Sequence, residues 1–583
     1  MNSLLSLLPY LKKYRKKIFI GYIFILLHLG LISIYPLIIG DAIDKITAGI
    51  YGTPVYMDIL YALLLTVAGG FFLFLTRQNI IVMSREVEND LRFDFFSHLQ
   101  KLSRSFFNKN STGDLMARAT SDINNIRNFV GPGIMYSLQT STRLTITLII
   151  LFNINAFVTL VALIPLPVIT ILVYKIGKFT FKRSLKVQES FSEMTAKVQE
   201  SFSGIRVIKT FVREKFEFEQ FDVISKDNFR KNLNLAKIQS FSFPMMFLLT
   251  GISIILVIYF GGIRVMEGQM TYGNISEFII YLGHLTWPMI AFGWIINLFQ
   301  RAAPSMERLL QINNSEPEIS DSSITDYDIK ENEIKGEIIF ENLSFKYPGS
   351  ENYVLKDINL KINRGSTLGI IGHTGSGKST LINLLPRVFD PTEGNIYIDG
   401  VNIKKFEVKL LRDIIGIVPQ ESFLFSNTIE KNIAYSDDKP NTEEVLIAAQ
   451  SAGLYKDIIN FPYQFHTILG ERGITLSGGQ KQRTSLARAI YKKPVILILD
   501  DSLSAVDTNT EEEILNELKT IMHNRTSIII SHRISTIKNS NNIIVLKDGI
   551  ISEQGTHSEL LSKKGFYFDL YQKQLLEDEI TNT

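Results

Sequence analysis

Cysteine is absent from all 583 residues, so disulfide staples, thiolate metal centres and a cysteine peptidase domain are excluded. The absence fits folded parts that meet a reducing cytoplasm, as it fits simple low usage. Net charge is nearly absent too: 61 Lys and Arg against 58 Asp and Glu leave +3, which gives no electrostatic ground for a nucleic-acid partner. Long apolar runs with few charges fill much of the first 300 residues, whereas the last 250 carry the ordinary mix of a soluble α/β domain. A chain this long exceeds what one hydrophobic core organises, and the change in composition predicts at least two domains.

Six apolar runs, 18–40, 57–76, 134–153, 157–176, 241–263 and 278–299, reach the length of about 20 residues that a helix needs to cross a bilayer. The first has no small-residue cleavage site and follows Lys12, Lys13, Arg15, Lys16 and Lys17. It therefore reads as a retained span with a cytoplasmic N-terminus, preceded by an interfacial helix over 1–14. The loops 77–133 and 177–240 are rich in Lys and Arg, while 41–56, 154–156 and 264–277 are short and poor in them, which puts both long loops and both termini in the cytoplasm. Arg143 falls near the middle of the third run, where a charge is costly unless paired or facing water. It reads either as a helix-bundle contact or as the lining of a substrate cavity, and the same two readings hold for His28, His284, Trp287, Trp294 and Asn297.

The two long loops continue the spans as helices, since charged and apolar residues interleave and Gly and Pro are scarce. Each is interrupted once. Ser111-Thr112-Gly113-Asp114-Leu115 leads to Arg118 and Asp122, with Thr112 or Asp114 as a cap for the next helix. In the second loop Glu200 precedes Gly204-Ile205-Arg206-Val207-Ile208-Lys209-Thr210-Phe211.

Beyond a polar, acidic stretch at 312–335 the residue pattern changes to that of a phosphate-handling domain. Ser366 to Ile371 reads as a buried strand, and Gly372-His373-Thr374-Gly375-Ser376-Gly377-Lys378-Ser379, with Thr380 next, follows as a Gly-rich loop that opens a helix. Backbone N–H groups and the helix start favour a phosphate, Lys378 adds a point charge, and the Ser379 hydroxyl suits Mg²⁺. Val495 to Leu499 is an apolar run of strand length, and Asp500 at its end can hold Mg²⁺ directly or through water. Leu476-Ser477-Gly478-Gly479-Gln480 joins a hydroxyl, two Cβ-free positions and a helix start, a second arrangement able to hold phosphate.

In this order the motifs resemble the nucleotide-binding domain of an ABC transporter, and the loop strings resemble the coupling-helix regions of ABC exporters with six spans per half. The resemblance covers nearly the whole chain. It implies a polytopic α-helical membrane domain with long cytoplasmic extensions over 1–311, a linker over 312–335, and an α/β P-loop NTPase domain of ABC type over 336–577. The implied ligands are ATP and Mg²⁺. By the same resemblance Tyr347 in Phe345-Lys346-Tyr347-Pro348 stacks on adenine, Asp500 ends the Walker B strand, and Gln420 in Val418-Pro419-Gln420 senses metal and γ-phosphate. Gly470-Glu471-Arg472-Gly473 touches the coupling helices, Asp507 belongs to the D-loop, and His532 in Ser531-His532-Arg533 contacts the γ-phosphate. Ser477, Gly478, Gly479 and Gln480 face the ATP of a second subunit across a head-to-tail dimer, so one chain contains no complete ATP site.

One residue departs from the family pattern. The residue after Asp500 is normally Glu, which polarises the attacking water, and here it is Asp501. Asp is shorter by one methylene, and a displacement of roughly 1 Å costs about a hundredfold where geometry carries the rate. Such an Asp is typical of exporters that work as heterodimers with one impaired ATP site. The expected function is ATP-driven export of amphipathic, drug-like or lipid-like compounds across the cell membrane, with a second half-transporter as partner. Two readings stay open beside it: a homodimeric lipid or drug exporter in which Asp501 is a slower base, and an ATP-gated channel or regulatory membrane protein.

Overall fold

The computed structural model describes residues 2–582 apart from 471, 472, 474, 504–507 and 524. Glu471 and Arg472 of the string Gly470-Glu471-Arg472-Gly473, and the D-loop residues Ser504-Ala505-Val506-Asp507, therefore lie outside the described residues. The chain divides into two compact units, Met1–Gln100 with Thr112–Ser315, and Lys101–Ser111 with Glu316–Thr583.

The first unit is helical throughout. Two short helices, Asn2–Leu5 and Leu8–Lys13, replace the single interfacial helix expected over 1–14. Lys13 and the Tyr14 hydroxyl both reach Asp90 at 2.6 and 3.0 Å, and Lys17 reaches Glu86 at 2.6 Å. These bonds fix the basic N-terminal segment against the C-terminal half of the helix Thr53–Leu99. Five of the six expected spans each fall inside one helix, and three helical stretches among the described residues are long and apolar enough to cross a bilayer: Arg15–Thr47, Thr53–Leu99 and Phe247–Met266. The helix Ile134–Ile154 is diluted by Ser137, Gln139, Thr140, Ser141, Thr142, Arg143, Thr145 and Thr147. The fourth run is broken at Ile164, where Ala156–Leu163 gives way to a new helix begun by Pro165, a residue that suits a first turn. At the end remote from the basic segment, Gly273 lies so close to the first long helix that a Cβ there would sit 2.2 Å from the Gly40 carbonyl oxygen. Its N–H donates to Asp44 at 2.7 Å.

Both loop interruptions are real breaks. The first falls at Asn110 and Ser111, between the short helix Arg104–Lys109 and the helix Thr112–Ala117. Because that helix already starts at Thr112, neither Thr112 nor Asp114 is its cap; Asp114 instead pairs with Arg118 one turn on, at 2.8 Å. The second yields the six-residue helix Ile205–Thr210 between Ser203 and Glu214. Buried Asp122 takes the guanidinium of Arg308 and the hydroxyl of Ser305, the latter at 2.8 Å.

Among the described residues the second unit holds ten strands: β1 Ile338–Phe345, β2 Leu355–Ile362, β3 Thr367–Gly372, β4 Glu393–Ile398, β5 Val401–Asn402, β6 Ile415–Val418, β7 Ile496–Asp500, β8 Thr526–Ile530, β9 Asn542–Lys547 and β10 Ile550–Gly555. One sheet runs β2-β1-β4-β5 and is antiparallel; the other runs β10-β9-β3-β8-β7-β6 and is parallel except for β10. Both strands expected around the phosphate motifs are present, each one residue further along than the hydrophobic pattern suggested. β7 and β8 are buried along their whole length, as strands covered on both faces must be. Parallel pairing brings the ends of β3, β8, β7 and β6 to a single edge of the sheet, where ligands of open α/β sheets bind. The linker packs on this unit: Ser103 donates to Glu318 at 3.2 Å, Ser105 bonds the same carboxylate, and Asp326 N–H donates to the Lys405 carbonyl at 2.7 Å.

Candidate functional site

The shared sheet edge opens into a cavity of about 330 Å³ lined by Tyr347, Thr374, Gly375, Gly377, Lys378, Ser379, Thr380, Gln420, Asp500, Asp501 and His532. These are most of the residues that the sequence singled out, gathered from the ends of β3, β6, β7 and β8, with Tyr347 added from the end of β1 in the antiparallel sheet. Gly372, His373 and Ser376 of the same Gly-rich loop do not line the cavity. Ser376 is buried with its hydroxyl unpartnered, and the His373 ring lies edge-on to Phe566 at 4.7 Å between centroids.

Gly377 shows why the loop needs glycine. Its φ is +98°, and a Cβ would lie 2.8 Å from Leu355 Cδ2 and 3.0 Å from the Val354 carbonyl oxygen. The helix Lys378–Asn383 begins at the next residue. Lys378 Nζ turns back onto its own loop, donating to the Gly372 and His373 carbonyls at 2.8 and 2.9 Å. Burial lowers its pKa, against the opposing pull of Asp500 and Asp501. Burial also raises the pKa of Asp500, which a hydrogen bond from Ser379 partly offsets. Two hard oxygen donors side by side, a buried cation and a glycine cradle fit a magnesium-bound polyphosphate. Asp501 is held in the left-handed region at φ +45°, its N–H returning to the Ile530 carbonyl at 2.9 Å. Tyr347 donates or accepts a 2.9 Å bond with Thr380 and packs edge-on against Phe345 and Phe389.

Ser477 to Gln480 do not line this cavity. Ser477 and Gly478 are exposed, at the start of the helix Gly478–Tyr491. There Ser477 and Gln480 form a reciprocal cap, Gln480 N–H to Ser477 Oγ at 3.3 Å and Ser477 N–H to Gln480 Oε1 at 3.0 Å. The Ser-x-x-Gln spacing is the sequence signature of such a cap. Asp457, which accepts from Gln480 Nε2 at 2.9 Å and pairs with Arg483 at 2.8 Å, was not foreseen, because nothing local marks a residue 23 positions upstream.

In the helical unit Arg143 and Trp287 line a second cavity, of about 180 Å³, with Leu73, Arg77, Met135, Tyr136, Gln139, Thr140 and Pro288. Trp294 packs edge-on against Tyr136 at 5.2 Å. His28 is a packing residue, bonded to the Gly69 carbonyl at 2.8 Å, and His284 lies against Tyr281.

Two family models match the sequence, the ABC transporter transmembrane region over residues 18–289 and the ABC transporter domain over residues 355–504. The chain is 37% identical over 559 residues to the "Probable multidrug resistance ABC transporter ATP-binding/permease protein" YheI of Bacillus subtilis, covering 95% of this chain and 94% of that protein. It is 36% identical over 501 residues to an ATP-dependent lipid A-core flippase of Syntrophus aciditrophicus, covering 85% and 82% respectively. Among solved structures, a bacterial Atm1-family ABC exporter with ATP bound superposes with a TM-score of 0.79 at 26% identity, over 96% of this chain and 99% of that one.

Proposed function

The chain belongs to the ABC transporter family, as a multi-pass membrane protein fused to a cytoplasmic ATP-binding ATPase domain, and we propose that it is one half of a heterodimeric exporter whose own ATP site is slow. One observation carries this reading: most of the Walker residues line one cavity, while Ser477 to Gln480 lie outside it, with Ser477 and Gly478 exposed. A second subunit must then supply the Ser477-type donors to the ATP held here, and this chain's Ser477 must serve the partner's ATP.

In the proposed mechanism the triphosphate enters the cradle of Thr374 to Thr380, with Tyr347 against the adenine. Lys378 leaves its two carbonyls for the phosphate oxygens, an exchange favoured because a carbonyl pair is a weak counterpart for a buried ammonium. Asp500, Ser379 and Gln420 would hold Mg²⁺, which neutralises phosphate charge when bound. His532 faces the γ-phosphate, and Asp501 orients water poorly because its carboxylate stops one methylene short.

The membrane part is proposed to cross the bilayer six times, with 1–311 as the transmembrane domain, 312–335 as linker and 336–577 as nucleotide-binding domain. Coupling would run through the two cytoplasmic loops. The helix Arg104–Lys109 belongs to the same compact unit as the ATP-binding sheets. On the second loop Phe202, Val207, Phe211 and Val212 are 72, 61, 71 and 79% exposed, an apolar strip that a partner subunit would cover. Amphipathic drug-like or lipid-like substrates are supported by the names of the multidrug and flippase relatives and by the mixed lining of the Arg143 cavity.

The test compares the chain purified alone with the chain co-purified with the product of an adjacent transporter gene. Robust ATPase from the chain by itself would overturn the heterodimer; turnover that appears only with the partner supports it. Substrate flux into inside-out vesicles without electrical conductance separates a pump from a channel.

A further inference from the structure

The switch segment bearing His532 is held from behind by a residue that no motif marks. Gln574 Nε2 donates to the His532 carbonyl at 2.7 Å, and Gln574 Oε1 accepts from the Ile534 N–H at 2.9 Å. An acceptor on one side and a donor on the other are satisfied together only by a group that is both, and a carboxamide in this one orientation is such a group. Arg533, between them, is pinned separately by its ion pair with buried Glu511, whose other oxygen accepts from Thr536 at 2.7 Å. With the backbone on both flanks fixed, His532 is held at the nucleotide cavity that it lines.

The helix that presents Gln574, Phe566–Asn582, is firmly seated. Tyr567 is fully buried and bonds His557 at 2.8 Å, and Glu553 accepts from the Phe566 N–H at 2.6 Å. Through Phe566 the same helix also touches His373 of the phosphate loop. We infer that Gln574 is a positioning residue that orients His532 toward the γ-phosphate and so sets how strongly this chain's site prefers ATP to ADP. It touches no nucleotide itself, and the inference rests on the reading of His532 as the γ-phosphate contact.

The experiment uses the full-length transporter in membranes, with photolabelling of this chain by 8-azido-ATP competed by a non-hydrolysable ATP analogue or by ADP, so that occupancy of this site is read apart from any partner. Gln574→Glu, which puts a carboxylate against the His532 carbonyl, and Gln574→Leu, which removes both bonds, are compared with His532→Ala. The expected result is a loss of about fivefold or more in competition by the ATP analogue, the scale of one hydrogen bond of about 1 kcal/mol. Competition by ADP is expected to stay unchanged, and neither Gln574 substitution should have a further effect in the His532→Ala background. Equal losses for ATP analogue and ADP, or additive losses with His532→Ala, would mean a merely structural role and overturn the inference. An effect of His532→Ala with none from either Gln574 variant overturns the inference alone. If His532→Ala itself leaves the ratio unchanged, the reading of His532 fails and the inference with it.

Discussion

Asp500 and Asp501 leave the same strand end in opposite settings: Asp500 is buried and bonded by Ser379, whereas Asp501 turns into the left-handed region with its N–H on the Ile530 carbonyl. Asn tolerates that backbone region as well as Asp does, and longer side chains less so. Asp501→Asn should therefore fold normally, and in the assembled pair it is expected to keep more than about half of the ATP turnover, since a base set back by roughly 1 Å contributes little. Asp501→Glu restores the missing methylene and should raise turnover. Steady-state phosphate release from the purified pair measures both. A collapse of activity in Asp501→Asn would make this chain's site the productive one.

Ser477 has two duties that substitutions can separate. Its hydroxyl caps the helix Gly478–Tyr491, and losing a cap to Ala costs about 1 kcal/mol. Asp caps equally well but sets a negative charge where a phosphate is to be held. Ser477→Asp is thus expected to keep the melting temperature near that of the parent while ATP turnover of the pair disappears; Ser477→Ala should lose some of both. Thermal melting beside ATPase distinguishes the two. Turnover surviving in Ser477→Asp would remove the pentapeptide from the partner's site.

Gly377 offers the sharpest test of the cradle. Ala there would be strained by its positive φ, at a cost of more than about 1 kcal/mol, and would also collide with Val354 and Leu355. Gly377→Ala should abolish labelling of this chain by azido-ATP and azido-ADP alike, in contrast to substitutions at Gln574, which discriminate between the two.

How far these features were legible depended on how local their causes are. The phosphate loop and the Asp500 strand could be read because a buried parallel strand is a continuous apolar run, and glycines at Gly375 and Gly377 answer to backbone conformation. The helix start at Ser477 was legible for the same reason, and the Ser-x-x-Gln spacing carries the signal of its cap within one turn. Gln574 and Asp457 were not, because an amide or a carboxylate on a helix gains its role only when distant chain folds against it. The expected caps at Thr112 and Asp114 failed because the break came one residue earlier than the polar string suggested. The fourth apolar run hid its interruption because Pro165 begins one helix immediately after another ends at Leu163.

Arg143 presents a choice between helix packing and cavity lining that its surroundings allow to be tested. It lines a cavity with Gln139, Tyr136 and Trp287, and among the described residues no carboxylate forms an ion pair with it. A charge at the middle of a span costs about 2.5–3.5 kcal/mol on insertion scales, so its replacement by a neutral side chain of similar length removes a penalty unless the guanidinium holds the helices together. Arg143→Gln is therefore expected to leave the melting temperature of the detergent-purified pair unchanged or raised, while stimulation of ATPase by amphipathic compounds falls and basal ATPase stays. A lowered melting temperature with stimulation intact would assign Arg143 to packing and move the substrate contacts elsewhere in the helical unit.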